Sequence, residues 1–273
     1  MKPIAYISCN KKIPYDNNTF FGRIVDRFKI SYMGESFIKE LNLKISNINL
    51  PPNINSQSYY KNMLVAKKKA KGRDIYLAPK IYRELDYNFW NCFQRELIAF
   101  GIVTSSKLIL RQMHKSIRDS CIVIYDAVEI INFEIICFIA KEAKYIVLLS
   151  RHVNELMHIA EYIIANFGIT PIVTSDLKYA VRNADFIISS KDIDLETRAN
   201  IWYLNNMYIP SKKDNIIIND ITYKVPWEFK EDVSPELLGA ILCQMEEKSI
   251  EEALSYNGVF LDKIKFNDKV VIL

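Results

Sequence analysis

A chain of 273 residues, half of them apolar, can bury one large core or two modest ones and reads as a folded globular protein. Its 36 basic and 32 acidic residues leave a thinly spread +4, whose one local run, Lys67–Lys71, reads as a solvated helix face, so neither nucleic acid nor a membrane is expected as a partner. The five cysteines are scattered, odd in number and never in CxxC spacing, which argues against a disulfide framework or a zinc site and suits a reducing cytoplasm. Met1–Asn10 is too short and too polar-flanked for a signal peptide. Ile130–Ala140, interrupted by Asn132 and Glu134, lacks the length of a membrane span, so a soluble cytoplasmic protein is expected.

The chain opens with a strand-like run, Ile4–Ser8, and reaches a helical stretch from about Glu35 in "ESFIKELNL". Asn47–Ser58 reads as a loop, Tyr59–Lys71 as a helix, Asp74–Ala78 as a strand, and Pro79 as the start of the next helix. Asn88 to about His114 reads helical, with Gly101 and Thr104-Ser105-Ser106 as possible breaks, and is expected to link two domains.

Beyond it apolar five-residue runs alternate with amphipathic helices. Strands are expected at Cys121–Tyr125, Tyr145–Leu149, Pro171–Thr174, Phe186–Ser189 and Ile216–Asn219, with helices at Val128–Ala143, Asn154–Asn166 and Leu177–Asn183. Such alternation predicts parallel strands buried on both faces and joined by right-handed crossovers. The expected fold is α/β: a Rossmann-like doubly wound parallel sheet over residues 111–273, behind a smaller N-terminal α/β domain over residues 1–110. Ser234–Met245 carries an N-cap serine and a proline at the first helical position, and is expected to pack on the same doubly wound sheet.

The succession "CIVIYDA … YIVLLSRHVNELMHIAEYI … ADFIISS … NIIIND" resembles the NADP-binding Rossmann domain of shikimate dehydrogenases and the related domain of glutamyl-tRNA reductases, over roughly a third of the chain. The resemblance implies a dinucleotide site at Asp126, Ala127 and Val128 after the first strand and Ser150 and Arg151 after the second; Ser189 and Ser190, at the end of the fourth, are candidates by position only. It also implies an acid–base lysine, for which Lys80 stands directly after Pro79, one residue short of the family spacing. The partner aspartate is missing: "NFWNCFQREL" offers only Asn91.

The glycine-rich turn that lets a backbone approach a pyrophosphate is also missing, since no glycine lies between Gly101 and Gly168. In its place Asp126 reads as an N-cap and Glu129 as the far half of a capping box, so that the helix satisfies its own amides and two carboxylates repel a phosphate. Ser150-Arg151 points the other way. It comes about 24 residues after Asp126, where an NADP site places an arginine for the 2′-phosphate.

Asp185 and Asp192 are site candidates by position only. Cys137, mid-helix among isoleucines, is expected to be a buried, inert thiol. His114, His152 and His158 show no metal-ligand arrangement, and no metal site is expected. Trp90, Phe93, Trp202, Tyr203 and Tyr208 read as core or interface anchors, and Ile201–Ile209 as a patch for association. The leading expectation is a Rossmann-like protein with a degenerate dinucleotide site and no cofactor, non-catalytic or regulatory, acting through a homodimer, a protein partner or a small ligand in an interdomain cleft. The alternative is an NADP-dependent oxidoreductase of the shikimate dehydrogenase type.

Overall fold

A computed structural model describes residues 1–10, 13–70, 74–211, 215–245 and 249–272. The chain divides into two compact units, Met1–Ile98 with Thr222–Asp262, and Ala99–Ile221 with Lys263–Leu273.

The first unit begins with β1 (Ile4–Ser8), α1 (Phe20–Lys29), β2 (Ser31–Ile38), β3 (Leu43–Asn49), α2 (Ser56–Lys69), β4 (Tyr76–Pro79) and the short turn of helix α3 (Arg83–Asp86). Its sheet has the order β2-β3-β1-β4, with β1 parallel to β3 and β4 and β2 antiparallel to β3. The helix expected from Glu35 is instead the second half of β2. Strand pairing with β3 overrides local propensity there, and a bulge between Tyr32 and Gly34 turns the edge. The expected loop at 47–58 shrinks to residues 50–55, because β3 runs to Asn49 and the side chain of Asn55 caps α2 by accepting from the Ser58 amide at 3.2 Å. The end of that helix expected at Lys71 lies outside the described residues.

Pro79 closes β4 rather than opening a helix. β4 is an edge strand, where a missing N–H costs no ladder bond, and the Pro79 carbonyl accepts from Trp90 Nε1 at 3.2 Å. α4 (Cys92–Gln112) then runs unbroken through Gly101 and the serines, because Ser105 and Ser106 donate back to the Ile102 carbonyl at 2.9 and 2.8 Å.

The second unit holds β5 (Cys121–Tyr125), α5 (Asn132–Ala140), β6 (Tyr145–Leu149), α6 (Val153–Phe167), β7 (Ile172–Thr174), α7 (Leu177–Arg182), β8 (Phe186–Ser189), β9 (Asn200–Tyr203) and β10 (Ile217–Ile218). All are parallel in the order β10-β9-β8-β5-β6-β7. Counted from β5 as the first strand, this is the doubly wound order 3-2-1-4-5-6 read from the other edge. The central strands are isoleucine, valine and leucine runs buried on both faces, the composition that such a sheet requires. Gly168, at φ +68°, supplies the left-handed residue that ends α6. Trp202 and Tyr203 are buried, and Trp202 Nε1 donates to Ser105 Oγ at 3.0 Å. The stretch expected to serve association is likewise buried from Ile201 to Leu204, leaving Ile209 as its exposed large apolar residue.

β11 (Asp220–Lys224), α8 (Pro235–Leu242), α9 (Ile250–Tyr256), β12 (Phe260–Phe266) and β13 (Lys269–Val270) complete the chain, the three strands forming a sheet in the order β11-β12-β13. Ser234 caps α8 as expected, accepting from the Leu237 amide at 3.3 Å, but the helix packs on β4 and β1 of the first unit. The two units divide differently from the boundary expected near residue 110: the first ends within α4, and residues 222–262 belong with it. The cause is chemical. All eight residues of α8 are buried, and Glu236 Oε1 accepts from Arg83 Nε at 2.9 Å.

Candidate functional site

In a doubly wound sheet the ligand crevice lies beyond the carboxyl ends of the strands, at the point where the order reverses. Here that point falls between β5 and β8, paired as far as Tyr125 and Ser189. Three segments meet there: the turn 126–131 after β5, Ser150-Arg151 after β6, and Ser190-Lys191 after β8.

Asp126 is not a helix cap. It sits at φ +53°, turning the chain, and α5 starts at Asn132 after Ile131 at the N-cap position, which makes no side-chain cap bond. The expected capping box therefore fails: the helix begins six residues after Asp126, and Glu129 meets the Asn132 amide with its backbone carbonyl, at 2.9 Å. The carboxylates have other partners. Asp126 Oδ1 accepts from Ser150 Oγ at 2.6 Å, and Lys191 Nζ lies 3.1 Å from Asp126 Oδ2 and 2.7 Å from Glu129 Oε1.

Beneath this ion pair a buried amide ties the segments together. Asn132 Nδ2 donates to the Asp126 carbonyl at 2.9 Å and to Ser190 Oγ at 3.1 Å, and Ser190 Oγ donates to the Tyr125 carbonyl at 3.2 Å. Ser189 Oγ holds the Lys191 backbone, donating to its carbonyl at 2.8 Å and accepting from its amide at 3.2 Å. Asn132 Oδ1 is buried without a hydrogen-bond partner among the described residues.

A cavity of about 390 Å³ opens on the β6 side of this network, lined by Tyr125, Asp126, Ser150, Arg151, His152 and Lys191 among others, so that two cations face one carboxylate already bonded to Ser150 and Lys191. Arg151 is exposed and forms no ion pair among the described residues. α6 starts directly behind it with His152 at the N-cap making no side-chain cap bond. A cation beside uncapped helix amides suits an anion.

Of the positions read from the sequence, Asp126, Ser150, Arg151, Ser189 and Ser190 come together at this crevice. Ala127 is buried with its amide on the Leu149 carbonyl at 3.1 Å, and Val128 is half-buried in the turn. Lys80 belongs to the first unit, half-buried after β4, with its amide donating to the Ile7 carbonyl at 2.8 Å. Asn91 is occupied as a helix cap, accepting from the Gln94 amide at 2.8 Å. Asp185 stands at the opposite, amino end of β8, where it accepts from the Cys121 amide at 2.8 Å, and Asp192 accepts from Asn205 Nδ2 at 2.6 Å. Lys191 and Asn132 were missed. Lys191 had a signal, being the first charge after the β8 strand end; Asn132 read only as a polar interruption of an apolar helix.

His152 and His158 pair with Glu155 and Glu161, each at 3.6 Å, and no metal-holding cluster occurs among the described residues. Burial pushes the Cys137 thiol up to about 11, which keeps it protonated at neutral pH.

The turn after β5 thus carries two carboxylates, Asp126 and Glu129, both paired with Lys191, where a dinucleotide site would offer bare amides and glycine.

The strand order and the crevice at its reversal define the second unit as a Rossmann-like doubly wound domain. No family model matches the chain, and no curated protein matches it. Among solved structures it is similar to the ligand-free 5-ketofructose reductase of Gluconobacter sp. strain CHM43, at 11% identity over 96% of this chain and 94% of that one, with a TM-score of 0.42. It is similar to the shikimate 5-dehydrogenase of Listeria monocytogenes in complex with shikimate and NAD, at 8% identity over 93% and 96%, TM-score 0.40. The quinate dehydrogenase of Corynebacterium glutamicum in complex with NAD matches at 6% identity over 96% and 95%, TM-score 0.42.

Proposed function

We propose that this protein is a non-catalytic or regulatory member of the Rossmann-like class, whose dinucleotide seat is closed and whose remaining pocket at the end of β6 takes a small ligand carrying a phosphate. The observation that carries the reading is Lys191 held between Asp126 and Glu129, across the place where a diphosphate would lie. Arg151 and the uncapped start of α6 support a single phosphate farther out, on a nucleoside or a sugar. Titration calorimetry with adenosine 2′,5′-bisphosphate, NADP and NAD tests it. The bisphosphate is expected to bind, to lose about tenfold in Arg151→Ala, and to gain nothing when the nicotinamide half is added.

A second reading has one observation in its favour: Ser150 and Arg151 stand where an NADP site reads the 2′-phosphate. Under it the chain is an NADP-dependent oxidoreductase, with Lys80 as its acid–base residue. Micromolar NADP binding that exceeds the bisphosphate, together with NADP-dependent turnover lost in Lys80→Ala, would establish this reading and remove the first.

A further inference from the structure

Helix α1 is built inside out. Its only buried residue is Asp26, 1% exposed, held by the Tyr15 hydroxyl, by Asn53 Nδ2 at 2.7 Å and by Asn62 Nδ2 at 3.1 Å. Its apolar residues face outward: Phe20, Phe21 and Phe28 are 67%, 78% and 85% exposed, and Ile24 and Val25 are exposed beside them. At about 100° per residue these five fall in one stripe about 140° wide, with Asp26 on the far side. Arg27 borders one edge of the stripe and Lys29 the other, both exposed.

A helix anchored by a carboxylate network and showing rings to water has its apolar face available for a partner. Charge selects the partner. The one acidic residue of α1 is buried, so any two-fold pairing of this face with a second copy sets a basic border against a basic border, with no exposed carboxylate on the helix to answer it. α2, packed beside α1, adds exposed Lys61, Lys67 and Lys68, so exposed basic residues outnumber the exposed Asp16 that precedes α1 and accepts from Asn55 Nδ2 at 3.0 Å. The occupant must therefore be anionic. It must also receive rings that project from a convex helix, which a fluid surface does without a matching pocket. Aromatic residues along one stripe and arginine or lysine at its margins are the pattern of a helix lying in the headgroup plane.

We propose that α1 is an interfacial helix that seats this protein on an anionic phospholipid bilayer. The helix lies on the surface and does not span it; no helix among the described residues is long and apolar enough to cross a membrane. The sequence reading expected no membrane partner because it weighed spans and a lysine run, and a short flat helix escapes both criteria.

Co-sedimentation of the full chain with vesicles of phosphatidylcholine alone, or containing about 30 mol% phosphatidylglycerol, tests the proposal. Binding to the anionic vesicles is expected, weakened by salt, and about tenfold weaker in Phe21→Ser/Phe28→Ser and in Arg27→Glu/Lys29→Glu. As a second measurement, Phe28→Trp should shift its emission to the blue when anionic vesicles are added. The proposal falls if anionic vesicles pellet no protein, if neutral vesicles bind equally, or if the Phe21→Ser/Phe28→Ser chain binds undiminished. It also falls if sedimentation equilibrium shows a dimer that this double substitution dissolves, or if an acidic protein is captured through α1 while vesicles are ignored.

Discussion

Lys191, the second residue beyond β8, is ion-paired at 2.7 Å to Glu129 in the turn that follows β5. The pair joins the two strands at which the sheet reverses, and with Asp126 it forms a neutralised charge cluster at the crevice. If those carboxylates close the seat, replacing them should open it. Asp126→Gly suits the left-handed backbone at φ +53°, and combined with Glu129→Gly it releases Lys191 to a phosphate. The double substitution is expected to raise NADP affinity at least about tenfold, read by calorimetry. Lys191→Ala in the parent chain, which leaves the two carboxylates unneutralised, should instead lower it, and should cost stability by only about 0–1 kcal/mol, since the lysine is 41% exposed. Unchanged NADP affinity in the double-glycine chain would show that something other than charge shuts the site.

The ion pair between Arg83 and Glu236 is different in kind, because neither side chain has any exposure. Glu236 Oε2 has no hydrogen-bond partner among the described residues, and the carboxylate's charge helps to hold the buried Tyr223 hydroxyl above its ordinary range after burial itself. Removing one partner strands a charge. Arg83→Met is expected to cost about 3–5 kcal/mol by urea unfolding, and Arg83→Met/Glu236→Leu should recover most of that loss. Additive single-substitution costs would mean that the two side chains do not act as a pair.

Asp86 makes stability depend on pH. Burial lifts its carboxyl from 3.8 to about 7, against the opposing hydrogen bonds from Tyr59, Ile81 and Tyr82. Between about pH 4 and 7 the native state therefore holds a proton that the unfolded chain has released. The contribution is complete below the unfolded value and is lost as pH rises through the folded one, by up to about 4 kcal/mol. Asp86→Asn mimics the protonated acid: its oxygen can accept from the Ile81 and Tyr82 amides while its NH₂ donates to the Tyr59 oxygen. Measured by urea unfolding from pH 5 to 8, the variant should gain on the parent chain as pH rises. Parallel curves would contradict the assignment.

The doubly wound sheet was legible because parallel strands buried on both faces leave unbroken apolar runs, as at 121–125 and 145–149, and because Gly168 and Ser234-Pro235 are punctuation whose chemistry is local. β2 was not legible, since its pairing with β3 decides a segment whose own residues suit either state. The destination of α8 was hidden for a similar reason: its start is written in Ser234, but its site is set by Arg83 and Gln94, more than a hundred residues away. At the crevice, strand ends located Ser150, Arg151 and Ser190. The capping box at Asp126 failed because type and spacing agreed while the helix began six residues later. Lys191 escaped because its partner lies 62 positions away and is reached by a flexible side chain.

The packing of α8 can be tested at a single atom. A Cβ placed on Gly239 would lie 2.8 Å from Gln94 Cα, and that contact is with backbone in the first turn of α4. The turn has little room to yield, because Gln94 Nε2 donates to the Leu77 carbonyl at 3.0 Å and to the Glu236 carbonyl at 2.8 Å, tying α4 to β4 and to α8 at once. In an open helix, glycine to alanine stabilises by about 0.5–1 kcal/mol. Gly239→Ala is instead expected to destabilise by about 1–3 kcal/mol in urea, the range for overpacking a close contact. A gain in stability would mean that α8 does not approach α4 this closely.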